Sequence, residues 1–150
     1  MITPKQMVIR LENLKAVTKH KIMGSALYAA AKPIEDAQKK ILSAKTTKRT
    51  GNLDKSIGRV RVSIRKANEL GTVRIGPRRG GVYRGFHGHL IEFGTKDRYT
   101  KKGKYTGRGP SLPFVAPSYN EKMGESRAIL GKELYRVINR WAKTGKIVEA

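Results

Sequence analysis

Apolar residues recur at Met23, Leu27, Ala30, Ile34, Ala37 and Ile41, in steps of three and four. This spacing lays one stripe along a helix over residues 22–42. Pro33 lies inside the stripe and predicts a kink or a division, because it removes one backbone hydrogen bond and crowds the preceding turn. Met7, Leu11 and Leu14 predict a shorter helix over 7–17, whereas 45–52 has no period and reads as a loop ending in turn residues. Residues 59–65 alternate strictly, with Val60, Val62 and Ile64 on one face and the arginines with Ser63 on the other. That pattern predicts a half-buried strand with a basic outer surface. A turn through 68–71 leads to Val73-Arg74-Ile75, which pairs with it as a hairpin. Residues 89–93 are expected to form a third strand, stopped by Gly94.

The segments between these elements are glycine-rich and basic, and 76–88 and 96–109 are expected to be mobile loops. Ser118 with Glu121 three residues on reads as a capping box, opening a helix whose stripe runs through Leu130, Leu134, Val137, Ile138 and Trp141. Gly145 is its expected stop. Gly124 and Gly131 within that helix either admit another backbone or are tolerated surface glycines. The expected fold class is α+β: a small antiparallel sheet from about 57–95, packed by the long N-terminal helix and the C-terminal helix. A chain of 150 residues fits a single domain, 1–150, with the two mobile loops as appendages.

Charge changes the picture most. The chain carries 33 Lys and Arg against 11 Asp and Glu, for a net charge of +22 and a pI near 10.6. Self-repulsion of this size calls for an anionic partner, either nucleic acid or an acidic protein surface. A membrane is not expected, because no stretch reaches the ~20 apolar residues of a span. With no cysteine there is neither a disulfide framework nor a thiolate metal site, and the N-terminus lacks a signal-peptide pattern, so synthesis in a cytoplasm is expected.

Catalytic chemistry finds little support. His87 and His89 would share one face of a strand, but Glu92 alternates away from them, and Glu35-Asp36 more simply offsets Lys32, Lys39 and Lys40. Gly71 to Gly76 lacks the Lys and Ser/Thr of a phosphate-binding loop. No catalytic residue, cofactor, metal or small-molecule substrate is expected. The positive charge concentrates instead in 45–108, where 18 Lys and Arg face 4 acids. Arg78, Arg79, Arg84, Lys96, Arg98, Lys101, Lys102, Lys104 and Arg108, interleaved with Tyr83, Phe86, Tyr99 and Tyr105, suit contacts to phosphates without sequence readout. The alternative is a solvated basic surface.

Three short motifs carry a resemblance. Thr50-Gly51-Asn52-Leu53-Asp54-Lys55-Ser56-Ile57 resembles a Thr-Gly-x-Leu-x-x-Ser-Ile pattern after a long N-terminal helix. Glu92-Phe93-Gly94-Thr95 is similar to a Glu-Phe-Gly-Thr strand end, and Pro113-Phe114-Val115-Ala116-Pro117 to a Pro-Phe-hydrophobic-Arg-Pro entry into the last helix. In this order they resemble the head-tail joining, neck or tail-completion family of long-tailed bacteriophages, a tail-component family. Ala116 departs from the pattern, where relatives often have arginine. The resemblance implies a non-enzymatic virion protein at the head-tail junction. Such a protein is a ring subunit around or near the DNA channel, in contact with other neck and tail proteins and, without sequence preference, with DNA. The physical rival is a nucleic-acid-binding module of the ribosomal-protein-like, RNA-binding kind; a nuclease lacks the carboxylate and histidine cluster.

Overall fold

The computed structural model describes Lys5 and residues 16–45, 51–63 and 71–144. The fold is α+β, with long helices packing on a small two-stranded antiparallel sheet. The elements run α1 (Ala16–Ala30), α2 (Lys32–Lys45), α3 (Asn52–Ser56), β1 (Ile57–Arg61), β2 (Val73–Pro77), a 3-10 turn (Gly85–His87), α4 (Gly88–Phe93), β3 (Arg98–Tyr99), β4 (Tyr105–Gly107) and α5 (Val115–Thr144). The helix expected over 7–17 lies outside the described residues except for its last two positions, which open α1. Thr50, most of the 45–52 loop, Ile64, Arg65, the 68–70 part of the hairpin turn and Gly145 also lie outside them.

Pro33 divides the N-terminal helix as its chemistry requires. Ala31 still donates its N–H to the carbonyl of Leu27 at 2.9 Å, and α2 then starts at Lys32. Pro33 thus falls in the first turn of α2, where a missing N–H leaves no bond unmade.

The chain forms two compact units. One comprises the residues up to Pro33, Arg59–Arg74 and those from Gly124 onward. Its core is Ile22, Val137 and Ile138, with Leu134 and Trp141 packed against it. The C-terminal stripe therefore buries as its spacing predicts, but the seam of α1 runs through Ile22, Ala26 and Ala30, while Met23 and Leu27 are half-buried. In this unit the faces expected for residues 59–65 hold at Val62, which is buried, and at exposed Ser63, and are corrected at Val60 and the arginines. Val60 is 44% exposed, and the guanidinium groups of Arg59 and Arg61 lie over the Tyr28 ring, 4.2 and 4.9 Å from its centroid. Arg59 also donates to the Tyr28 carbonyl. An aromatic face attracts both cations, so the arginine side of the strand packs on a helix rather than facing water.

The other unit comprises Ile34–Gly58 and Ile75–Met123. Leu42, Ile57 and Phe114 form its core, flanked by Ile41, Leu53, Ile91 and Val115. Residues 89–93 are corrected here from a third strand to the helix α4. The buried positions of the 3-10 turn and this helix, Gly85, Gly88 and Glu92, are three and four apart, which is helical spacing, and the adjacent Leu90 and Ile91 already break a strict strand alternation. His87 and His89 are consequently exposed positions on a helical turn, not neighbours on a strand face. The 96–109 segment holds a short hairpin, β3 with β4, rather than an irregular loop.

Candidate functional site

The motif residues of the second unit converge on the start of α5. A helix begins with backbone N–H groups that lack intrahelical partners. Here the Glu92 carboxylate supplies them: Oε2 accepts from the N–H of Phe114 at 2.8 Å and Val115 at 2.9 Å, and Oε1 from Ala116 at 3.2 Å. Glu92 is only 7% exposed, so its charge is stabilised by these donors and by the positive end of the helix dipole. This corrects the capping box. The helix starts at Val115, so Ser118 lies inside it, fully buried, with its hydroxyl donating to the Val115 carbonyl at 2.7 Å.

Neighbouring motif positions fasten the same joint. Gly94 has φ +75° and ψ −174°, a region open essentially to glycine, and a Cβ there would stand 2.9 Å from the Gly109 carbonyl oxygen. Thr95 donates its N–H to that carbonyl at 3.0 Å, while its hydroxyl accepts from the Gly109 N–H at 2.7 Å. Ser111 and Leu112 donate to the carbonyls of Glu92 and Ile91. Lys45 donates to the Pro113 carbonyl at 2.9 Å, and Phe114 is 1% exposed in the core. Pro117, in the first turn of α5, leaves no intrahelical bond broken.

The first motif adds its own joint. Gly51 precedes α3 in a left-handed conformation, Leu53 packs on the core, and Ile57 lies within it. Ser56, fully buried, donates to the Leu53 carbonyl at 2.6 Å, and its own carbonyl accepts from the N–H and the Nε of Arg78 at 3.0 and 3.1 Å. The Arg78 guanidinium also lies over the Tyr83 ring, 3.5 Å from the centroid.

With these joints in place, a match to a known family can be set beside them. Residues 5–94, more than half of the chain, match the family described as "Bacteriophage HK97-gp10, putative tail-component". The chain belongs to this phage tail-component family. No curated protein and no solved structure gives a significant match. The first motif and all of the second but Thr95 lie within the matched residues, and in this tail-component protein their geometry is architectural: they cap, pin and close turns.

The basic residues expected to meet phosphate are distributed differently. Arg79 and Arg84 are exposed beside the 3-10 turn, while Arg78 is held within the chain by Ser56 and Tyr83. Lys96, Arg98, Lys101, Lys102, Lys104 and Arg108 are all exposed on the β3–β4 hairpin and its base. The hairpin closes through Gly103 donating to the Thr100 carbonyl at 2.9 Å, with Gly103 at φ +79°. Lys101 and Lys102 are thereby the two central residues of the turn, at the hairpin tip. Tyr99 and Tyr105 pair across the strands with ring centroids 5.4 Å apart, and Tyr105 donates to Asp97 at 3.3 Å. Among the described residues, no group of three or more His, Cys, Asp or Glu gathers as metal ligands, and no helix is long and apolar enough to cross a membrane.

Proposed function

We propose that this chain is a non-enzymatic structural protein of the virion, acting at the head-tail junction as a neck or tail-completion component. It assembles as a ring subunit around or near the DNA channel and contacts other neck and tail proteins. The observation that carries the reading is the family match over residues 5–94, since the family is one of phage tail components. The β3–β4 hairpin supports a secondary role: its two tip lysines and the flanking Lys104 are exposed point charges suited to contacts with phosphates, which carry no sequence readout.

Mass spectrometry of purified virions, with antibody labelling of intact particles, tests the location. Label at the junction between head and tail is expected. Absence of the chain from purified virions contradicts the proposal, and tight binding of the isolated monomer to one structured RNA would favour an RNA-binding module instead.

A further inference from the structure

The 3-10 turn and α4 are amphipathic in the wrong sense for a free surface. Their inward positions are Gly85, Gly88 and Glu92, while Phe86, Leu90 and Phe93, at i, i+4 and i+7, point outward. Phe93 is 78% exposed, Phe86 49% and Leu90 37%, with Val82 nearby in sequence at 88%. The segment cannot roll to bury them. A Cβ at Gly85 would collide with the Ser56 hydroxyl and stand 2.7 Å from the Arg78 carbonyl oxygen, and one at Gly88 would stand 2.6 Å from the Pro77 ring. Only a side without side chains fits against α3 and the end of β2, so the aromatic side is held toward solvent. Two phenylalanines and a leucine presented to water along one side of a rigid turn mark a surface that is covered in service.

The occupant follows from the charges around the stripe. Residues 78–109 contain nine Lys and Arg against two acids; Glu92 is buried in its cap, and Asp97 receives the Tyr105 hydroxyl. Phe93 shares one open depression with Lys96, Arg108 and one acid, Asp97, and Arg84 directly precedes the 3-10 turn that carries Phe86. The surface has an apolar centre and a rim in which basic residues outnumber the one exposed acid. A second copy of a +22 chain would bring its own positive field toward this rim. Nucleic acid would stack on the rings but gain little from Leu90, whose aliphatic side chain offers no π-face.

We infer that the Phe86–Leu90–Phe93 stripe is a docking surface for a different protein, whose contact face carries apolar side chains ringed by Asp and Glu. The inference rests on the proposed role in the virion, because it takes that partner to be another structural protein of the same particle. The test mixes the full chain with each purified structural protein encoded beside it and measures binding by calorimetry at several salt concentrations. Binding to an acid-rich partner is expected, weakening as salt rises. The double variant F86S/F93S should weaken it by about ten-fold or more without lowering the melting temperature. F93L should retain most of the affinity. The double variant K96E/R108E should weaken binding and flatten its salt dependence.

No complex with any of these proteins overturns the inference, as does an affinity unchanged in F86S/F93S. Loss of self-association alone in that variant would assign the stripe to a second copy, and loss of DNA binding alone would assign it to nucleic acid; either result also overturns the inference. Wild-type chain absent from purified virions would be a failure of the virion role itself, whereas wild-type chain present with F86S/F93S binding unchanged would be a failure of the docking surface alone.

Discussion

Glu92 gathers three backbone donors on one buried carboxylate, and this makes it the residue on which the entry into α5 depends. Glu92→Ala should destabilise the protein by roughly 2–3 kcal/mol, because the donors of Phe114 and Val115 lose their acceptor in a place with little access to water. Glu92→Gln keeps one carbonyl oxygen and should cost about half as much. Urea unfolding midpoints of the two variants check the order; equal, negligible shifts would mean that water replaces the carboxylate. Gly94→Ala should cost at least about 2 kcal/mol, from its backbone angles and from the close approach of Gly109. The sequence marks Gly94 as a turn and Phe114 as part of an extended entry. It does not reveal that Glu92 caps a helix some 22 residues later, since that cap is a tertiary contact with no local pattern. The Ser118-to-Glu121 spacing is a local pattern that this longer-range contact overrides.

Among the elements, the long helices were the most legible, because their apolar periods extend over several turns. Val137 and Ile138 are buried in the first core, with Leu134 and Trp141 packed on it. Since Trp141 is only half-buried, Trp141→Ala should cost roughly 2 kcal/mol, less than the ~3–5 typical of a fully buried ring, read as a shift in melting temperature. The short elements were less legible. Residues 89–93 read as a short strand ended by Gly94, yet the glycines at 85 and 88 select a helical turn by letting one side approach Pro77 closely. The β3–β4 hairpin concentrates lysines at its tip, and replacing Lys101, Lys102 and Lys104 with glutamine should weaken duplex binding about equally for unrelated sequences. The slope of log affinity against log salt should flatten by about 0.9 for each phosphate that a lysine no longer neutralises. Weakening confined to one sequence would contradict nonspecific binding.

For the whole molecule, the +22 charge should oppose association of copies of the chain. Charges facing each other across an interface still repel at 0.15 M salt, where the Debye length is about 8 Å, while distant ones are screened. The isolated chain should therefore be mostly monomeric at low salt and form larger species when salt is raised or short duplex DNA is supplied, as followed by light scattering. A ring that persists unchanged at low salt without an anion would show that apolar contacts dominate. The central claim is a structural role where head meets tail, and electron microscopy of particles assembled in cells lacking this chain tests it most directly. Filled heads and tails that accumulate side by side without joining are the expected result; intact, joined particles in normal numbers would contradict it.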